Sequence, residues 1–412
     1  MFKEARGIVP EGKVANSHRV VFVHGFFGWG PGELEAMPYW SEASNADPHC
    51  DDPNRRALFA SLGPFSSHHD RACELFYQLM GGRCDFGAEH SAKYGHDRYG
   101  KNYVEPLYAE WSAENPVHFI AHSQGVPTVR MLQHLLKKRA FTNPRTGMPY
   151  ETDANWISSL SSVAGANNGT TALYYAGCSR ETGRVDADGL SLIQNFLKTV
   201  LTNRLAHSKQ ARNIYDFDLQ HWGLEARKNE GAPAFLSRLN EAEYFMESED
   251  NAFFDLTLHG MLKWNQVLTE HPETWYFSYP ANRSRRLWLT ERHVPYLDTK
   301  PHLQYYGWKI GGHSFGDPFP EPIRDYKESD WRANDGALPT WAQEFPRIPS
   351  PHPHKHLPAQ TRDFERGLWN VMEHDLSGVD HFNITEAHGK SPKKKLRLRR
   401  FYETLFERVY SL

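Results

Sequence analysis

The sequence predicts an α/β protein built on a mainly parallel sheet. Short apolar, β-branched runs recur along the chain, at residues 19–23 (RVVFV), 116–121 (PVHFIA), 156–163 and 275–279. Between them lie segments with helical spacing. Residues 126–139 have apolar positions at 129, 131, 132, 135 and 136, and end in Lys and Arg. Strands separated by helices pair in parallel, because a parallel connection needs a crossover.

Composition narrows the class further. The chain has 412 residues with 47 Lys plus Arg against 50 Asp plus Glu, a net charge of −3. Nothing in that balance calls for nucleic acid or an anionic surface as partner. The mean hydropathy is −0.67. No stretch approaches the ~18 apolar residues of a transmembrane segment. Four cysteines are too few for a disulfide scaffold, whereas 23 histidines are a surplus. The first nineteen residues contain no apolar h-region and no small-residue cleavage site. This leads to the expectation of a cytoplasmic protein, or an extracellular one if the sequence is that of a mature chain.

Three other segments carry expectations. Residues 189–205 place Leu192, Ile193, Phe196, Leu197, Val200 and Leu201 on one helical face, with Asp186 or Asp188 as cap. Residues 393–400 (KKKLRLRR) lead into an apolar-periodic end and read as a solvated helix face. Residues 351–358 (PHPHKHLP) have the composition of a metal tract, but the prolines favour a surface loop.

Two serines compete as nucleophile. Ser314 matches G-x-S-x-G literally, in GHSFG. Ser123 lies in AHSQG, with Ala121 at the first small position. A nucleophile elbow is a strained strand-to-helix turn, so it needs a strand before it and a helix after it. Ser123 has both, whereas Ser314 is followed by DPFPEP, whose prolines cannot start a regular helix. An acyl-transfer serine also needs amide donors for the developing oxyanion. Gln124, directly after the serine, and Phe26, after the His24-Gly25 dipeptide, stand at the two expected places. Asp335 and His381 fit the chain order nucleophile, acid, base, with Asp380 and His374 as rivals.

In several blocks the chain resembles the zinc-containing thermostable lipases of Gram-positive bacteria, which are α/β-hydrolases. The blocks are VHGFFGWG (23–30), GPFSSHHDRACELFYQLMGGRCDFGAEHSAKYGHDRYG (63–100), IAHSQG (120–125), IYDFDLQHWGL (214–224), NDG (334–336) and VDH (379–381). The resemblance implies Ser123 as nucleophile, Asp335 as acid, His381 as base, and Phe26 and Gln124 as oxyanion donors. It implies a zinc ion on Asp70, His90, His96 and Asp250, with His68 and His69 as competitors beside Asp70. Four protein ligands fill a tetrahedron, so such a zinc is structural. The family's calcium site corresponds to positions that include Asn383 and His388 here. A hard cation prefers carboxylates, so that calcium site is expected to be lost.

The expectation is therefore one α/β-hydrolase domain over residues 1–412, with a zinc-bearing insertion at about 63–100 and a helical lid at about 172–212. The implied activity is hydrolysis of carboxylic esters, with triacylglycerol lipase ahead of short-chain esterase or lactonase, at a lipid–water interface. Two readings of other classes are a zinc metallohydrolase and a non-catalytic lipid-binding protein that kept the fold.

Overall fold

The computed structural model describes residues 16–31, 38–205, 217–225, 227, 230, 232–358, 361–373, 376–385 and 391–412. Nine strands are relevant to the site: β1 (Val20–Val23), β2 (Leu58–Phe59), β3 (Gly82–Asp85), β4 (Tyr99–Tyr103), β5 (Val117–His122), β6 (Ile157–Val163), β7 (Trp275–Tyr279), β8 (His354–Leu357) and β9 (Trp369–Met372). Six helices matter beside them: α1 (His68–Met80), α2 (Ala88–Tyr94), α3 (Gly125–Lys137), α4 (Ala187–Leu205), α5 (Pro301–Ile310) and α6 (Pro392–Tyr410).

Seven strands form one sheet in the order β8-β9-β7-β6-β5-β1-β2, and every pairing in it is parallel. All residues of β1 and β5 are buried. Their near-continuous apolar sequence is what a strand covered on both faces requires. Side chains alternate between two cores. Phe22 and Ile120 pack into one with Tyr402 and Phe406 of α6. Val21, Val23, Phe119 and Ala121 pack into the other with Phe76 of α1 and Leu132 of α3.

The four strands read from the sequence are all present, and the helix expected at 126–139 is α3. The amphipathic segment is α4, starting two residues early at Ala187, and Asp186 accepts from the Gly189 amide at 2.9 Å. Ile193 and Leu197 are fully buried while Leu192 is half exposed. The basic segment forms the first turns of α6, where all but one side chain between residues 393 and 400 are exposed.

The tract at 351–358 differs from expectation. Residues His354–Leu357 are the edge strand β8, paired in parallel with β9. An edge strand tolerates proline at its start and polar side chains on both faces, so its pattern resembles a loop. The His354 ring stacks on Phe345 at 3.6 Å.

Candidate active site and metal cluster

β5 runs directly into Ser123, and α3 begins two residues later. Ser123 has φ +55°, the left-handed region that a non-glycine residue occupies only under constraint. Its amide donates to the Val163 carbonyl at the end of β6, and its carbonyl accepts from the Ala166 amide. Two glycines make the turn fit. A Cβ on Gly25 would lie 2.6 Å from the Ser123 Cβ, and one on Gly125 would lie 2.4 Å from the Val23 carbonyl oxygen. Ser314, by contrast, is exposed in a coil after α5 with no strand leading into it.

The His381 Nδ1–H donates to Asp335 Oδ2 at 2.7 Å. The other carboxylate oxygen of Asp335 accepts from the amides of Ala337 and Leu338 at 2.9 and 2.8 Å. Asp335 is fully buried and His381 nearly so. The rival Asp380 instead accepts from Asn383, through both its amide and its side chain. His374 and His388 lie outside the described residues.

Sequence reasoning missed the side chains that tie these parts together. His122, just before the serine, donates from Nε2 to the His381 carbonyl at 3.1 Å. That fixes its tautomer, so Nδ1 accepts from the Tyr39 hydroxyl at 2.6 Å. The Tyr39 oxygen in turn accepts from the Gly25 amide at 3.1 Å. A single buried chain of hydrogen bonds thus joins the loop of Phe26, the serine strand and the His381 loop. Its only sequence signal is a histidine next to the elbow, and a lone histidine has many explanations.

Among the described residues, neither the Phe26 nor the Gln124 amide has a main-chain acceptor. The Phe26 ring stacks on Phe196 of α4, with centroids 6.2 Å apart and planes at 10°. Phe196 also meets Tyr306 of α5 edge-on at 5.2 Å.

The four expected metal ligands come together. Asp70 lies in α1, His90 in α2, His96 just after α2, and Asp250 far along the chain, and their ligand atoms all lie within 4.8 Å of one another. The Ser67 hydroxyl caps α1 by accepting from the Asp70 amide. His90 Nε2 is 3.2 Å from Asp70 and 3.0 Å from Asp250. Burial lowers the His90 pKa, but hydrogen bonds to Asp250 and Asp70 outweigh it and hold the value at about 10. Burial pushes the Asp70 pKa up, yet hydrogen bonds from His221, His69 and His90 keep it well below the usual carboxylate range. Two converging buried carboxylates are stabilised by a positive charge held between them.

The donor set fits a borderline metal ion such as zinc. His96 Nδ1–H donates to the Asp97 carbonyl at 2.9 Å, which leaves Nε2 as the lone-pair nitrogen. That Nε2 is buried without a hydrogen bond, although it lies 3.2 Å from Asp250. His221, from the QHW block, donates to Asp70 Oδ2 at 3.0 Å and orients this carboxylate from behind. Of the two competitors, only His69 reaches the cluster, with Nδ1 3.4 Å from Asp70 Oδ1. His69 stacks on the His90 ring at 3.5 Å, and His68 lies against Asp255.

A parallel sheet whose central strand ends in a strained serine elbow, with an Asp–His pair on later loops, is the architecture of an α/β-hydrolase. The chain resembles Lipase 1 of Staphylococcus aureus strain MRSA252, with 29% identity over 394 residues that cover 90% of this chain and 52% of that protein. It spans about half the length of that relative. The structure of lipase 1 from Pelosinus fermentans superposes with a TM-score of 0.75 at 29% identity, covering 96% of this chain and 99% of that one. The Staphylococcus hyicus lipase structure gives 0.72 at 28% identity, covering 96% of each chain. The family model described as "Lipase-like, C-terminal domain" matches residues 16–411, and the chain belongs to that family.

Proposed function

We propose that the chain is a serine carboxylester hydrolase acting on lipid esters, most simply a triacylglycerol lipase. The observation that carries this reading is the Asp335–His381 hydrogen bond at 2.7 Å, in a fold whose central strand ends in the Ser123 elbow. His381 Nε2 takes the proton of the Ser123 hydroxyl as its oxygen attacks the ester carbonyl carbon. The Asp335 carboxylate holds the Nδ1–H tautomer and stabilises the imidazolium. The Phe26 and Gln124 amides receive the oxyanion, each contributing about 3 kcal/mol to lowering the barrier. Collapse of the tetrahedral intermediate expels the alcohol, protonated by His381. Water, deprotonated by the same imidazole, then frees the acid from acyl-Ser123.

The same reading makes the chain one catalytic domain over 1–412, with the insertion at about 63–100 carrying zinc on Asp70, His90, His96 and Asp250. With four protein ligands the ion would supply cross-linking between α1, α2 and the Asp250 segment rather than an activated water. α4 is read as the core of a lid at about 172–212, because its Phe196 covers the ring of Phe26. Residues 206–212 lie outside those described.

The test is hydrolysis of short- and long-chain nitrophenyl esters by wild type, Ser123→Ala, Ser314→Ala and Asp70→Ala. Ser123→Ala is expected to lose about 10⁴-fold or more in kcat and Ser314→Ala nothing. Near-full activity in Ser123→Ala would refute the serine mechanism. A folded Asp70→Ala without turnover would return the metallohydrolase to first place.

A further inference from the structure

Six of the thirteen exposed large apolar side chains among the described residues fall between positions 288 and 308. Trp288 and Leu289 lie at the tip of an antiparallel hairpin with strands Ser284–Arg286 and His293–Pro295, Tyr296 and Leu297 in the link that follows, and Tyr305 and Trp308 on α5. Trp288, Leu289 and Leu297 are about nine-tenths exposed. Such concentration is unusual for a soluble surface and marks an interaction site.

The tip is held in shape. The Leu287 amide donates to the Arg292 carbonyl at 2.9 Å, and the Arg286 side chain donates to the Thr290 carbonyl and pairs with Glu291. Leu289 has φ +63°. The hairpin therefore presents Trp288 and Leu289 on an ordered turn. Arg292 lies over the Trp308 ring at 3.9 Å and fastens the hairpin to α5. An open groove of about 920 Å³ runs beside Leu297, Tyr305 and Trp308.

Charge identifies the occupant. Between residues 285 and 309 the chain has five Lys and Arg, at 285, 286, 292, 300 and 309, against Glu291 and Asp298. This segment is cationic in a chain whose net charge is −3. Apolar tips within a cationic ring suit an anionic lipid surface, where the rings enter the acyl boundary and the cations meet headgroups. The surface also adjoins the site. Tyr306, next to Tyr305 on α5, packs against Phe196, which covers Phe26.

We propose that hairpin 284–295, the link through Leu297 and α5 form a docking surface for an anionic lipid–water interface, which seats the mouth of the ester site on its substrate. The proposal deepens the hydrolase reading and rests on it for its purpose, while docking itself is measured without turnover. The experiment compares sedimentation of wild type, Trp288→Ser/Leu289→Ser/Leu297→Ser and Arg285→Glu/Arg286→Glu with vesicles of phosphatidylcholine, alone or mixed with phosphatidylglycerol. Hydrolysis of soluble nitrophenyl butyrate is followed in parallel.

The apolar triple variant is expected to bind mixed vesicles about 100-fold more weakly. The charge variant should bind them about 10-fold more weakly, with little change on phosphatidylcholine alone. Both should hydrolyse the soluble ester like wild type. Equal binding by wild type and triple variant overturns the proposal, as does a wild-type protein that binds neither vesicle. A wild-type dimer that the triple variant dissociates also overturns it, because the surface then belongs to a second copy. A wild-type protein that binds mixed vesicles, loses that binding in the triple variant, and yet hydrolyses neither the soluble ester nor an emulsified long-chain ester refutes the hydrolase reading and upholds the docking surface.

Discussion

The Arg71 guanidinium donates to the main-chain carbonyl of His24 at 2.5 Å. The same buried side chain donates to the Gly63 carbonyl at 2.7 Å and to the Thr128 hydroxyl at 3.1 Å. Arg71 follows the metal-ligand candidate Asp70 in α1, Thr128 lies in α3 behind Ser123, and His24 begins the loop that carries Phe26. One side chain thus sets the helix of Asp70, the helix behind Ser123 and the loop of Phe26 relative to one another. Arg71→Met is expected to lower kcat/KM about 100-fold, by displacing one oxyanion donor, and to cost about 3 kcal/mol of stability. Steady-state kinetics and denaturant titration measure the two effects separately.

The approach of Gly25 to the serine makes a sharper test of the elbow. A methyl group there would sit 2.6 Å from the Ser123 Cβ and 3.2 Å from its Oγ. Gly25→Ala should lower kcat about 100-fold or more, the typical cost of misplacing a reacting group by about 1 Å. Wild-type kinetics in this variant would mean that Ser123 is not the reacting group.

Metal binding should depend on a residue that is not itself a ligand. His221→Ala removes the donor behind Asp70, so affinity for zinc should fall about 10- to 100-fold in competition with a chromophoric chelator. Removing the metal from wild type should lower its melting temperature, and adding zinc back should restore it.

Acid sensitivity should come partly from a histidine remote from both sites. His118 in β5 is fully buried between Ser159 and Asn16, and burial, helped by nearby His18, lowers its pKa to about 3. The folded protein holds this ring neutral, while the unfolded chain takes up a proton below about 6.5. Its contribution is therefore intact above pH ~6.5 and is lost progressively as the pH falls toward 3, to about 5 kcal/mol at most. His118→Gln should flatten the slope of unfolding free energy against pH across that window.

The elbow was legible because its mechanics leave a pattern: an apolar strand, small residues on both sides of Ser123 and an amphipathic helix. The same mechanics dismissed Ser314 despite its better literal match. Choosing between Asp335 and Asp380 needed geometry, since both stand in the right order along the chain. The chain from Gly25 through Tyr39 and His122 to His381 was illegible, because its members are single residues far apart in sequence. His221 was hidden for the same reason inside a block recognised only by likeness. β8 was misread because an edge strand beginning after proline lacks the apolar alternation that marks its neighbours.

The order of the sheet also shapes how the chain folds. β1, β2, β5 and β6 are complete once residue 163 is made, but the outer edge of β6 pairs only with β7, which starts at residue 275. During synthesis at ~5–20 residues per second that edge stays open for on the order of ten seconds. An unpaired parallel edge backed by an apolar core is a template for wrong partners. Refolding yield should accordingly fall steeply with protein concentration, and a chaperone that shields nascent strands should rescue it.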